Sequence, residues 1–171
     1  MKAVIFDVDG VFTDGRFIYS ADGKMYKIFG ADDNDALAML SRYVEVRCVT
    51  GDRKGFSISQ ARIERDMGLK LDLVSTTQRI DWIIKQYDPS QVIYMGDGIF
   101  DHYVMSKVGY SIAPQNADAG AKAAANYVTQ RPGGDRAVAE ACLHIMAKFF
   151  EPYDGKEPLS TNISYSGEWS A

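Results

Sequence analysis

An apolar run, Val4-Ile5-Phe6, breaks abruptly into Asp7-Val8-Asp9-Gly10, and Val11-Phe12-Thr13-Asp14-Gly15 follows. β-Branched and aromatic residues in an unbroken run suit a strand covered on both faces. Asp7 and Asp9 stand two apart, so in an extended chain their side chains lie on the same side. Two carboxylates gathered at a strand end repel each other unless a cation or a shared proton relieves them. Gly10 lets the chain turn there without a Cβ penalty. The competing reading is a solvated turn, since Asp and Gly also gather in turns.

Beyond this point apolar strand runs alternate with helical patterns. Arg16 to Ser20 and Lys24 to Phe29 flank Ala21-Asp22-Gly23, a hairpin signal. An exposed strand pair so rich in aromatics would invite aggregation, so the hairpin is expected to be a flap over a site or a surface for another subunit. Asp32-Asp33-Asn34-Asp35 reads as the capped start of a helix over Ala36 to Tyr43. Further strands are expected at Glu45 to Thr50, Lys70 to Val74, Gln91 to Met95 and Tyr110 to Ile112. Helices are expected at Lys54 to Met67, Thr76 to Tyr87, Phe100 to Lys107, Ala117 to Ala125 and Arg136 to Phe149. Such alternation predicts an α/β fold, a three-layer parallel sheet of the Rossmann-like kind with helices on both faces and the hairpin after the first strand. Residues 1–150 read as one domain. Residues 151–171 read as an extended tail, in which Ile163, Tyr165 and Trp169 are apolar anchors.

Composition narrows the function. The 171 residues carry 19 Lys+Arg against 23 Asp+Glu, a formal net charge of −4, which argues against bulk nucleic-acid or anionic-membrane binding. No apolar run is long enough to span a bilayer and no leader-like segment opens the chain, so a cytoplasmic protein is expected. Cys48 and Cys142 each lie in an apolar run and read as buried thiols.

Ligands of parallel sheets sit outside the carboxyl ends of the strands. Collected there, the expected strand ends deliver Asp7 and Asp9, then Thr50, then Asp97 with Asp101 four residues on. An all-oxygen set of this kind suits magnesium. His102 reads as a surface helix residue and His144 as half-buried, so neither suggests a softer metal.

The string Phe6 to Gly15 resembles the first motif of the haloacid dehalogenase-like superfamily of phosphotransferases, and the later motifs agree with it. Val49-Thr50-Gly51 matches the second motif and Gly96-Asp97-Gly98-Ile99-Phe100-Asp101 the fourth. The resemblance implies that Asp7 attacks phosphorus as a nucleophile and that Asp9 is the general acid and base. It implies that Thr50, with Gly51, binds the transferring phosphoryl group. Magnesium is implied on Asp7, Asp97 and the backbone carbonyl of Asp9, with Asp101 steadying the site. The third motif, normally a lysine, falls nearest Arg79, which supplies permanent charge in place of a compact ammonium and is the expected substrate-binding cation.

The resemblance covers about residues 1–150 and is most specific to a small branch without a cap domain, which includes 3-deoxy-D-manno-octulosonate 8-phosphate phosphatase and related nonulosonate phosphatases. Val11-Phe12-Thr13-Asp14-Gly15 before the hairpin and Tyr127-Val128-Thr129 with Gly133-Gly134 before the last helix carry it. Thr50 follows Asp9 by 41 positions (50 − 9) and Asp97 follows Thr50 by 47 (97 − 50), intervals that core elements already fill. What the resemblance implies is a magnesium-dependent phosphatase of a small phosphorylated sugar, with a 2-keto-3-deoxy sugar acid phosphate as a candidate. It implies a homotetramer packed through its hairpins, with a neighbour's segment covering each site. In one place the chain departs from this branch: after Lys27-Ile28-Phe29 come Gly30-Ala31-Asp32-Asp33-Asn34, where those phosphatases carry a longer polar stretch, often with arginine. Two rival classes remain, a receiver-like signalling domain and a catalytically inactive assembly module. Asp7 and Asp9 on the first strand argue against the former, and the full set of aspartates with Thr50 argues against the latter.

Overall fold

Residues 1–156 are described by the structure, a computed structural model. The first strand, β1 (Ala3–Asp7), lies at the centre of a six-stranded parallel sheet, and all five of its residues are buried. Its neighbours are β4 (Glu45–Thr50) and β6 (Val92–Met95), with Asp7 opposite Val49 and Phe6 opposite Met95. Outside them come β5 (Lys70–Leu73) on one side and β7 (Tyr110–Ala113) and β8 (Tyr127–Val128) on the other, in the order β5-β4-β1-β6-β7-β8.

Alternate residues of β1 feed two cores, as the two-residue period of a strand requires. Val4 and Phe6 face α1 (Asp33–Leu40) and α6 (Ala137–Phe149), together with Ile63 and Met67. Ile5 faces the other layer, built on α3 (Arg79–Ile84), α4 (Asp101–Met105) and α5 (Ala119–Ala124). The α/β sandwich is therefore as expected. Between β1 and β4 stand only the hairpin and α1, and between β4 and β6 only α2 (Phe56–Gln60), a π-helical segment, β5 and α3 with short turns, so no cap domain is inserted. Among the described residues no helix is long and apolar enough to cross a membrane.

Several boundaries differ from expectation, each for a local reason. The hairpin strands β2 (Ile18–Ser20) and β3 (Gly23–Tyr26) are short and form a separate two-stranded sheet, closed at its base by a Thr13–Phe29 bridge. The helix expected from Lys54 begins at Phe56 as α2 (Phe56–Gln60), because Asp52 Oδ1 accepts the Gly55 N–H at 3.0 Å and holds the intervening turn. It then widens into a π-helical segment, Ala61–Asp66. The expected helix at Thr76 starts as a 3₁₀ turn, Thr76–Gln78, before α3. The edge strand β8 was not anticipated, since two residues show no period.

The acidic run that opens α1 is also a correction. Asp32 adopts a left-handed conformation (φ 66°) and its side chain caps nothing. Asp33 turns inward and accepts the Ala139 N–H of α6 at 3.0 Å, capping a different helix from the one expected. The Arg136 position before α6 offers no side-chain cap of its own, so that donor was vacant. Cys48 and Cys142 are free and buried, as expected. The tail anchors Ile163, Tyr165 and Trp169 lie outside the described residues.

Candidate active site

Every strand of the central trio ends at the same edge, and the singled-out residues follow from that. Asp7 closes β1 and Asp9 is two residues on; Thr50 closes β4 with Gly51 exposed beside it; Asp97 follows β6 by two; Asp101 opens α4 and Arg79 opens α3. One carboxylate oxygen each from Asp7, Asp97 and Asp101 fall within 4.8 Å of one another. Gly10 makes the closeness possible: its φ is 87°, and a Cβ there would sit 2.0 Å from Asp97 Oδ2.

Arg79 is the electrostatic centre of the cluster, only 2% exposed. Its Nη1 donates to Asp7 Oδ2 at 2.6 Å and its Nη2 to Asp7 Oδ1 at 2.9 Å, a two-pronged clamp. Nη1 also lies 3.0 Å from Asp101 Oδ1 and 2.6 Å from the Tyr94 hydroxyl, which itself donates to Asp101 Oδ1 at 2.7 Å. The Val8 N–H adds a 2.7 Å bond to Asp7 Oδ1. Burial pushes the Asp7 carboxyl up to about 7 while Arg79 pulls the other way. Burial, then the charges of Asp7 and Asp101, push Asp97 up to about 8. A cluster that would otherwise hold protons near neutral pH is one that a cation stabilises.

The donor set suits magnesium, a hard cation preferring carboxylate and water oxygens. Both oxygens of Asp101 are engaged, Oδ1 by Arg79 and Tyr94 and Oδ2 by the Gly98 N–H at 2.8 Å, and both oxygens of Asp7 are engaged by Arg79, with the Val8 N–H besides. The three carboxylates together form the group that could hold a metal ion, and Asp101 also braces Arg79.

Asp9 is set apart from this trio. Its Oδ2 accepts the Thr50 hydroxyl at 2.9 Å, and its Oδ1 lies 2.6 Å from Lys27 Nζ. Thr50 is fully buried, and its oxygen also accepts the Asp52 N–H at 3.0 Å. Neither histidine joins the cluster: His102 Nδ1 contacts the Ile99 carbonyl at 2.8 Å, and His144 contacts the Tyr110 hydroxyl at 2.8 Å while stacking on Tyr127. A groove of about 850 Å³ between α1 and α6 shares no residue with the cluster.

Sequence reasoning missed Tyr94 and Lys27. Tyr94 looks like one more aromatic strand residue, and only its two-residue offset from Gly96 and its facing direction signal a role. Lys27 looks like a polar residue on a flap, and nothing local signals that its ammonium is buried.

Comparison with known proteins agrees with the geometry. The profile of the haloacid dehalogenase-like hydrolase family matches residues 81–141. The chain is 30% identical over 152 residues to a 3-deoxy-D-manno-octulosonate 8-phosphate phosphatase of Yersinia pestis, covering 83% of this chain and 78% of the relative. The solved structure of a phosphatase of that name from Moraxella catarrhalis, in complex with magnesium, phosphate and KDO, superposes with a TM-score of 0.73 at 26% identity, over 86% of each chain. The cobalt-bound deoxy-D-mannose-octulosonate 8-phosphate phosphatase of Haemophilus influenzae gives a TM-score of 0.75 at 29% identity, over 86% of this chain and 85% of that one.

Proposed function

Because the chain belongs to the haloacid dehalogenase-like hydrolase family, we propose that it is a magnesium-dependent phosphoric monoester hydrolase whose substrate is a small phosphorylated sugar, of the 3-deoxy-2-keto acid class that includes 3-deoxy-D-manno-octulosonate 8-phosphate. The observation that carries this reading is the Arg79 clamp on Asp7, beside Asp97, at the strand ends.

In this reading a carboxylate oxygen of Asp7 attacks phosphorus and the bond from phosphorus to the sugar oxygen breaks. Asp9 gives its proton to the departing oxygen, so the sugar leaves as an alcohol. Asp9, now a carboxylate, takes a proton from water as that water attacks phosphorus. The bond to Asp7 breaks, releasing phosphate and restoring both aspartates. The single O–H of Thr50 donates to Asp9 and would turn from it to meet a phosphoryl oxygen beside Gly51. Arg79 favours the ionised form of Asp7 and holds it in line, which a two-pronged guanidinium does with more geometric constraint than an ammonium. Asp7, Asp97 and the Asp9 carbonyl would hold magnesium, which would supply positive charge against the phosphate. A phosphate-release screen tests the proposal, using 3-deoxy-D-manno-octulosonate 8-phosphate against neutral sugar phosphates, each with magnesium and with EDTA. Release from the acidic sugar, abolished by EDTA, is expected. Preference for the neutral esters would overturn the substrate class.

The reading extends to a cytoplasmic homotetramer packed through the hairpin. Exposed Ile18, Tyr19, Tyr26 and Ile28 favour burial against another copy, and two free buried thiols suit a reducing compartment. Light scattering at micromolar protein is expected to return four chains; a fully active monomer would overturn it.

A further inference from the structure

The two buried cations of the catalytic edge divide its aspartates between them: Arg79 takes Asp7, and Lys27 takes Asp9. Lys27 lies one residue past β3, and its side chain is wholly withdrawn from solvent. Three oxygens surround its ammonium: Asp9 Oδ1 at 2.6 Å, Asp52 Oδ2 at 2.9 Å and Ser59 Oγ at 2.8 Å. The Ser59 contact is a hydrogen bond, and those to Asp9 and Asp52 are ion pairs. Lys24 also pairs with Asp52, and the Phe17 ring lies over both lysines. Burial would raise the Asp52 carboxyl, but its bonds from Lys24 and Lys27 hold it down at about 2.

The surroundings are shaped to admit these stems. A Cβ on Gly55 would meet Lys27 Cε at 2.8 Å and Lys24 Cδ at 2.9 Å, besides Asp52 Oδ2 at 2.2 Å. The hairpin is thus pinned to the turn after β4 by buried charge, and the pin touches a reacting group. The Thr50 hydroxyl bonds one oxygen of Asp9 and the Lys27 ammonium pairs with the other, so the carboxylate is held from both sides.

We infer that Lys27 is a positioning residue for the reaction, holding Asp9 at the angle from which it exchanges a proton with the leaving oxygen. This rests on the reading of Asp9 as the general acid and base. The hairpin then contributes to the chemistry of its own subunit, apart from any contact it makes with a second copy.

The test compares two esters. A sugar phosphate leaves as a poorly stabilised alkoxide and needs the proton from Asp9; p-nitrophenyl phosphate leaves as a stable phenolate and does not. General acid catalysis is worth about 10²–10⁴-fold and a misplacement near 1 Å about 10²-fold. Both esters share the second step, in which Asp9 is the base, so the comparison is made on kcat/KM, which reads only through departure of the leaving group. Lys27→Met should lower kcat/KM on the sugar phosphate by about 100-fold, with a loss on p-nitrophenyl phosphate at least about fivefold smaller. Lys27→Arg, which keeps a cation but shifts its nitrogens, should show the same ester dependence with a smaller loss, and it serves if the Met variant does not fold. Adding Lys27→Met to Asp9→Asn should cost less than about threefold more, since the group being positioned has gone. Equal losses in kcat/KM on the two esters, or no loss, would reduce Lys27 to a structural pin. If Asp9→Asn itself shows no ester dependence, the reading of Asp9 fails instead.

Discussion

Asp7 and Asp33 are both buried carboxylates, and burial pushes each up to about 7, yet their surroundings answer that cost differently. Asp7 has a guanidinium across both oxygens and a backbone N–H besides. Asp33 has one backbone N–H, from Ala139, on Oδ1, and its buried Oδ2 has no hydrogen-bond partner. Arg62 draws it down without touching it, while Asp32 and Asp135 oppose. The difference teaches that burial alone does not mark a reactive acid. At Asp7 a fixed cation lies across both oxygens and offsets part of that cost; at Asp33 no cation is in contact, and the carboxyl serves as a cap for α6.

The strongest way to break this comparison is to remove the reactive group itself. Asp7→Asn should cut turnover by about 10⁴-fold or more, as nucleophile deletions do, with the fold intact. Phosphate release by Asp7→Asn near the wild-type rate would end the aspartyl-phosphate account. Asp33→Asn in the same assay should stay within about threefold of wild type, because it reaches no reacting atom.

The next largest effect concerns the cations. Arg79→Met would leave Asp7 and Asp101 buried without their partner, and breaking a buried pair this way costs about 3–5 kcal/mol. Arg62→Ala, by contrast, should cost below about 1 kcal/mol in denaturant unfolding, since Arg62 is partly exposed and its ion pair is with surface Asp66. Similar losses for the two would mean that the environments differ less than the contacts indicate.

How much of this contrast was legible in the sequence depends on range. Asp7, Asp9, Thr50 and Asp97 could be found because each sits at or just past a strand whose apolar run is visible. Arg79 could be placed near the site only by its position ahead of the β6 strand, not by its partners. Asp33, Lys27 and Tyr94 were not legible, since their partners lie 106, 32 and 7 positions away in Ala139, Ser59 and Asp101. Local composition made Asp33 a cap for its own helix. Tertiary packing instead turned it toward the vacant N-terminal donors of α6. The π-helical Ala61–Asp66 segment was likewise hidden, because its residues keep an ordinary amphipathic pattern.

Metal sharpens the comparison at intermediate size. Asp7 and Asp97 carry repulsion that a divalent cation relieves, and Asp33 stands apart from them. Magnesium at 100 times its dissociation constant should stabilise the folded state by about 2.7 kcal/mol, which is roughly 5–10 °C in Tm for a chain of this size. Asp97→Asn should reduce that shift in thermal melts, and Asp33→Asn should leave it unchanged. No shift with wild-type protein would remove magnesium from Asp7 and Asp97.

The smallest effect is the pH dependence that Asp33 contributes. Its carboxyl sits at about 7 in the folded protein against an ordinary 3.8, so the folded state keeps a proton that the unfolded chain has lost. Between about pH 4 and pH 7 folding therefore takes up a proton, and stability from this group falls as pH rises. Below that window both states are protonated, and above it the whole penalty is present. Asn keeps an acceptor for the Ala139 N–H, fills the same space and cannot ionise. Asp33→Asn should match wild type near pH 4 and be more stable by about 1–3 kcal/mol at pH 8, on the scale of about 1.4 kcal/mol for each tenfold change in proton affinity. Asp7 and Asp97 add pH slopes of their own, but the variant retains both, so the difference between the two unfolding curves isolates Asp33. The measurement is urea unfolding at pH 4, 6 and 8 with magnesium present throughout. A constant difference across that range would mean that Asp33 stays ionised in the folded protein, held by Ala139 and Arg62 more firmly than its orphaned Oδ2 implies. The contrast with Asp7 would then collapse into one of geometry alone.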